Sequence, residues 1–189
     1  NDGWDLMDDG GKVLALSTTI GIAQDGTDGA YAEAYGQWGI TGDLDLIVAF
    51  DGEEMLAEEG QERYISVAIS SNDGSNYAYV QNALTRNAQH YDADMALNNT
   101  WYRWRTHNST DHSGRLRLVR QDGIVSGYYW QDDDWVMLAD WQEGFDDTAY
   151  VNLRLRCKSP TPMPQIAWFS IERLVTEEGV LIGGTDEVP

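Results

Sequence analysis

Along most of the chain, apolar and polar residues alternate in short runs separated by Gly, Asp and Asn. A period of two puts successive side chains on opposite faces of a strand, and the 3.6-residue period of an amphipathic helix is hard to find. Ten strands are predicted: Leu14–Ile20, Leu44–Phe50, Tyr64–Ser70, Tyr77–Leu84, Trp101–Thr106, Arg115–Arg120, Ile124–Trp130, Trp135–Ala139, Tyr150–Cys157 and Ile166–Leu174. Asn72-Asp73-Gly74-Ser75, Asp122-Gly123 and Asp132-Asp133-Asp134 supply turn residues between them. The acidic piece Glu53–Glu62 is the single helical candidate and reads better as a loop or one turn. Short strands with regular turn signals predict an all-β, two-sheet antiparallel β-sandwich.

The segment from Trp101 to Leu138 reads as consecutive antiparallel strands. A two-residue turn at Asp122-Gly123 pairs Gln121 with Ile124, Leu118 with Gly127, Arg117 with Tyr128, Leu116 with Tyr129 and Arg115 with Trp130. Leu116, Leu118 and Tyr129 then face the core, and Arg115, Arg117, Tyr128 and Trp130 face away. A different loop length would exchange the faces of the second strand.

The strings Gly114-Arg115-Leu116-Arg117-Leu118-Val119-Arg120-Gln121-Asp122-Gly123, Ser126-Gly127-Tyr128-Tyr129-Trp130 and Trp135-Val136-Met137-Leu138 resemble the central meander of concanavalin A-like jelly rolls of the laminin-G-like type. Tyr150–Cys157 and Gln165–Leu174 are similar to their closing strands, and Gly42–Asp51 to an early one. The resemblance covers about residues 10 to 175. It implies a jelly roll that is often sugar-binding, secreted and sometimes Ca²⁺-holding.

The 189 residues suit one domain, expected over residues 1–180 with a tail or linker at 181–189. Eight Trp and ten Tyr argue against disorder. Asn1-Asp2-Gly3 and Gly183-Gly184-Thr185-Asp186 look like linker cuts, so the chain is expected to belong to a larger secreted or surface protein, extracellular or periplasmic. No run approaches the roughly 20 apolar residues of a membrane helix, so membrane insertion is not expected. The formal charge is −20, from 32 acidic and 12 basic residues, a field that opposes nucleic acid. Residues 1–63 carry fifteen acidic against two basic side chains, a net of −13. Cys157 has no partner for an internal disulfide and is expected to be a small buried hydrophobe.

No catalytic set stands out. Glycoside hydrolases of this fold mount Glu-x-Asp-x-x-Glu on one strand, which aims the carboxylates into one cleft, and the chain lacks that motif. Gly42-Asp43-Leu44-Asp45-Leu46 brings two Asp to one strand face without a Glu. Polysaccharide lyases of this fold use an Arg strand, a Gln-x-His strand and a late Tyr, and Gln89-His90-Tyr91 does not reproduce that spacing. His90, His107 and His112 show no metal-binding spacing and read as surface residues.

The arginines are more suggestive. Arg103 and Arg105, Arg115 and Arg117, and Arg154 and Arg156 each alternate with apolar residues, so each pair shares a strand face. Arg103, Arg105, Arg115 and Arg117, with Tyr128, Trp130 and Trp135 as stacking platforms, form the candidate glycan site, suited to an anionic sugar if the strands share a sheet. Cross-strand pairing with Glu33, Asp43 or Asp45 would instead consume the guanidiniums. Trp38, Trp101, Trp104, Trp141 and Trp168 are expected in the core. Asp25, Asp28, Asp132 and Asp134 are candidate Ca²⁺ ligands, although Asp and Gly are equally turn formers. The function expected is a non-catalytic carbohydrate-binding or adhesion module. A glycoside hydrolase or lyase with dispersed residues, and a structural or protein-interaction domain, stay open.

Overall fold

The structure is a computed structural model. It describes residues 4–8, 11–16, 19–24, 31–36, 39–52, 62–85, 88–103, 106–145, 148–158, 165–177 and 179–183. These form two antiparallel sheets packed face to face.

The first sheet comprises β1 (Trp4–Asp8), β4 (Tyr31–Gly36), β14 (Ala149–Lys158), β6 (Glu62–Ser71), β7 (Tyr77–Leu84) and β8 (Gln89–Leu97), in that spatial order. Both β9 (Thr100–Arg103) and β10 (His107–Asn108) pair along the outer edge of β8. The second runs β13 (Asp134–Gly144), β12 (Ile124–Gln131), β11 (Ser113–Gln121), β5 (Leu44–Asp51), β15 (Gln165–Thr176), β3 (Thr19–Gln24) and β2 (Gly11–Leu16), with β16 (Gly179–Gly183) also on β15.

The predicted strand Leu14–Ile20 is in fact two, β2 and β3, which pair antiparallel with Leu16 opposite Thr19. Leu14–Ile20 contains no Gly, Asp, Asn or Pro to mark the reversal. β4 and β8 were not predicted. Their Ala, Asp, Glu and His residues have weak strand propensity, and flanking strands hold them in place.

Elsewhere turn chemistry set the register. Asp122 (φ 51°) and Gly123 (φ 75°) form a two-residue turn of type I′, and Arg117 lies opposite Tyr128 and Leu116 opposite Tyr129, as predicted. Asn98-Asn99 and Asp132-Asp133 also carry positive φ at both residues, joining β8 to β9 and β12 to β13.

The core lies between the sheets. It takes the alternate residues Leu44, Leu46, Val48 and Phe50 from β5, and Ile65, Val67 and Ile69 from β6. Tyr91 of the first sheet stacks on Tyr129 of the second at 4.4 Å and meets Phe50 edge-on at 6.4 Å. Gly127 marks a close approach of the sheets, since a Cβ there would lie 2.5 Å from Val80 Cγ1. Trp141 is buried as expected, whereas Trp101 is 63% exposed and Trp168 half-buried; Trp38 and Trp104 lie outside the described residues.

Two arginines are core residues. Arg63 donates from Nη1 to the Gly52 carbonyl (3.0 Å) and from Nη2 to Asn82 Oδ1 (3.1 Å). Arg120 donates from Nε to the Gly42 carbonyl (2.7 Å) and from Nη2 to that of Ile40 (3.0 Å), tying the entry to β5. Cys157 is buried, and burial pushes its thiol up to about 12.

Candidate functional site

Among the described residues, a surface on the outside of each sheet carries side chains that could meet a ligand. On the second sheet, alternation turns Arg115 and Arg117 of β11 and Tyr128 and Trp130 of β12 outward, where Trp135 of β13 joins them. Trp130 and Trp135 meet edge-on at 5.0 Å. The Arg115 guanidinium lies 5.7 Å from the Trp130 ring, and that of Arg117 lies 5.6 Å from both Tyr128 and Trp135.

Both cations are also ion-paired. Arg117 holds Asp45 with Nε at 2.7 Å and Nη2 at 3.0 Å, and Asp45 also faces Arg173 Nε at 3.3 Å. Arg115 Nε is 2.8 Å from Glu172 Oε2. The surface is therefore a ladder of satisfied cations clamped between rings and carboxylates. Arg103 belongs to the other sheet, opposite Asp94 on the edge of β8, so it does not extend this ladder. Arg105 lies outside the described residues.

The outside of the first sheet is a groove. Strand register sets Glu33, Arg154, Ser66, Gln81 and Asp92 side by side across β4, β14, β6, β7 and β8. The next row is Tyr35, Asn152, Ala68, Tyr79 and Asp94, and the next Tyr150, Ser70, Tyr77, Ala96 and Trp101. Down the middle runs β6, whose outward side chains Ser66, Ala68 and Ser70 are small and, although outward, nearly inaccessible. Longer neighbours on β14 and β7 stand over them, which makes the floor and walls of a trough.

Arg154 reaches across this floor, its guanidinium 5.5 Å from the Tyr77 ring, and divides the trough in two. One chamber, of 940 Å³, is bordered by Tyr35, Ser70, Asn152, Tyr150 and the Asn72–Gly74 turn. The other, of 300 Å³, is bordered by Tyr64, Ser66, Tyr79, Gln81, His90 and Asp92. Tyr77, Trp101 and Arg154 line both.

The polar groups of the groove are only partly satisfied. Arg154 donates from Nε (2.9 Å) and Nη2 (2.7 Å) to Oε2 of the fully buried Glu33. Asn152 Nδ2 donates to Ser70 Oγ at 2.7 Å, Tyr79 donates to Asp94 Oδ2 at 2.7 Å, and His90 Nε2 lies 3.2 Å from Asp92 Oδ2. Among the described residues Asp92 Oδ1, Asn152 Oδ1, Tyr77 Oη and Glu33 Oε1 are buried without a hydrogen-bond partner. Such atoms carry an unrecovered desolvation cost and mark places where a ligand or water completes the network.

Burial, seconded by the charge of Asp94, holds the Asp92 carboxyl above its ordinary range against the pull of Gln81 and His90. Burial and the bond to Asp94 likewise raise the Tyr79 phenol. At the rim, bonds from Ser71 and Ser75 draw the Asp73 carboxyl down to about 2 and brace the Asn72–Gly74 turn.

The calcium candidates divide. Asp25 and Asp28 lie outside the described residues. Asp132 is a central residue of a tight hairpin turn, and Asp134 Oδ1 accepts from its neighbour's backbone Trp135 N at 2.7 Å. Among the described residues no three His, Cys, Asp or Glu side chains gather around a common point.

The sequence did hold a signal for the groove. Tyr77, Tyr79 and Gln81 alternate with apolar residues on one strand, and His90, Asp92 and Asp94 on another. Only their adjacency through the sheet gives the alternation meaning.

No family model and no curated relative matches the chain. Solved structures do share its fold. A Bacillus licheniformis β-glucanase is 11% identical over 90% of this chain and 92% of its own, with a TM-score of 0.62. The VIP36 exoplasmic/lumenal domain in its Ca²⁺-bound form is 9% identical over 99% and 90%, with a TM-score of 0.62. The carbohydrate-binding module CBM66 from Bacillus subtilis is 10% identical over 86% and 95%, with a TM-score of 0.54. The chain thus has the concanavalin A-like jelly-roll fold that its sequence resembles, a fold it shares with carbohydrate-binding and carbohydrate-cleaving proteins.

Proposed function

We propose that this chain is a non-catalytic carbohydrate-binding or adhesion module of a secreted or surface protein, and that glycan lies in the groove across β14, β6 and β7. The observation that carries the reading is the trough itself: a floor of small residues, aromatic walls, and buried polar atoms whose partners are missing inside the protein. Sugars present apolar ring faces to stack and hydroxyls to bond, which is what such a lining accepts. The fold shared with CBM66 and the VIP36 domain supports it.

Trp101 is the stacking platform of choice, because it is exposed and borders both chambers. On a glycan array, Trp101→Ala is expected to weaken binding about tenfold, the worth of roughly one ring contact, without loss of folding by circular dichroism. The ladder of Arg115, Arg117, Tyr128, Trp130 and Trp135 is the rival surface. Trp130→Ala abolishing binding while Trp101→Ala leaves it intact would move the site there. The array is run with Ca²⁺ and with EDTA. Groove binding is expected to be unchanged by EDTA, and sensitivity to it would direct attention to Asp25 and Asp28.

One observation favours a second reading. Asp92 and Asp94 share a strand face in the groove, and the Asp92 carboxyl is held up by burial, as a general acid requires. Release of reducing ends from a polysaccharide, abolished in Asp92→Asn, would make the chain a hydrolase instead.

A further inference from the structure

The chemistry of the groove narrows the ligand, a step that rests on the proposal that glycan lies there. Three buried atoms without partners belong to residues that line its chambers: Asp92 Oδ1, Asn152 Oδ1 and Tyr77 Oη. An ionised carboxylate oxygen only accepts hydrogen bonds, and a phenol accepts as readily as it donates. The lining therefore asks chiefly for donors. Sugar hydroxyls are donors; carboxylate and sulfate groups are not.

The cations point the same way. Arg154 is the guanidinium at the centre of the trough, and two of its nitrogens are committed to Glu33. Arg156 stands at one end, exposed, its guanidinium 5.9 Å from the Tyr64 ring. Lys158, beyond Arg156, is paired with Glu62, and set against these three cations are five carboxylates on the same face or its rim, Glu33, Glu62, Asp73, Asp92 and Asp94, a local balance of −2 among the described residues. The chain's overall −20 repels anions from a distance as well.

We infer that the groove selects an uncharged, hydroxyl-rich glycan and rejects uronates and sulfated sugars. Of the arginines that from sequence suggested an acidic ligand, Arg154, Arg117 and Arg115 are ion-paired with Glu33, Asp45 and Glu172.

The test titrates the purified chain by calorimetry with neutral mannan, β-glucan and xylan, and with alginate and a sulfated galactan, at low and high salt. At least one neutral polysaccharide is expected to bind, with affinity changing less than about twofold between roughly 0.01 and 1 M NaCl, because screening acts on charge pairs. The anionic polymers are expected to bind at least about tenfold more weakly, on the order of one lost or repelled charge contact. Tighter anionic binding that falls with salt and is lost in both Trp101→Ala and Arg156→Gln would overturn this inference while leaving the groove as the site. Binding of any polymer that Trp101→Ala does not weaken, or silence of all five, would overturn the groove reading and this inference with it.

Discussion

Asp92 is the residue at which stability and function pull apart. The residue is 5% exposed, one oxygen lies 3.2 Å from His90 Nε2, and the other is buried without a partner beside the smaller chamber. Because burial raises its pKa, the native state holds the proton more tightly than the unfolded chain. Protonation therefore stabilises the fold, and that contribution is lost as pH rises from the ordinary carboxylate range through the raised native value. Asp92→Asn is expected to remove this slope and to raise stability at neutral pH by about 1 kcal/mol, the cost of a buried acceptor left unmatched. Urea denaturation at acid and neutral pH measures both. A variant less stable than the parent at neutral pH would mean that the contact with His90 outweighs desolvation.

Turns at the scale of the element show how far local chemistry reaches. Asp122-Gly123 supplies the glycine that a type I′ turn favours, and the register it implies is the register observed. Asp132-Asp133 builds the same turn with two side chains in the left-handed region, at φ 51° and 63°. Left-handed backbone costs a non-glycine residue on the order of 1 kcal/mol. Asp133→Gly should recover about 0.5 to 1 kcal/mol, net of the entropy glycine adds to the unfolded chain, seen as a higher thermal midpoint. An unchanged midpoint would mean that the Asp133 side chain offsets its own strain.

The strands whose burial the sequence foretold are those with clean alternation, such as β5 and β11. β8, which supplies Asp92 and Asp94, escaped notice because its alternation pairs alanine with acids, a pattern equally at home in a loop. Half of the groove was thus unreadable from the sequence pattern, and the aromatic half on β7 was legible only as a strand.

The whole molecule carries a charge of −20, and the ion pairs of Arg117, Arg154 and Arg115 offset Asp45, Glu33 and Glu172, a few of its 32 carboxylates. Self-repulsion of the rest destabilises the compact state and is screened by salt. The thermal midpoint is expected to rise between roughly 0.01 and 0.5 M NaCl; a flat response would mean that the acidic side chains are too dispersed to repel. Which face holds the site is also a property of the whole. Arg154 meets Glu33 across 121 residues of sequence, and Arg117 meets Asp45 across 72. The sequence by itself determined the all-β class, the inward and outward faces of most strands and the tightest turns, because a period of two and a positive φ are properties of neighbours along the chain. Only the tertiary structure decided which strands lie side by side, and so which arginines are spent on carboxylates, which small residues line a floor and which polar atoms are left facing a groove. Sheet order joins residues far apart in sequence, and nothing in their local pattern encodes it.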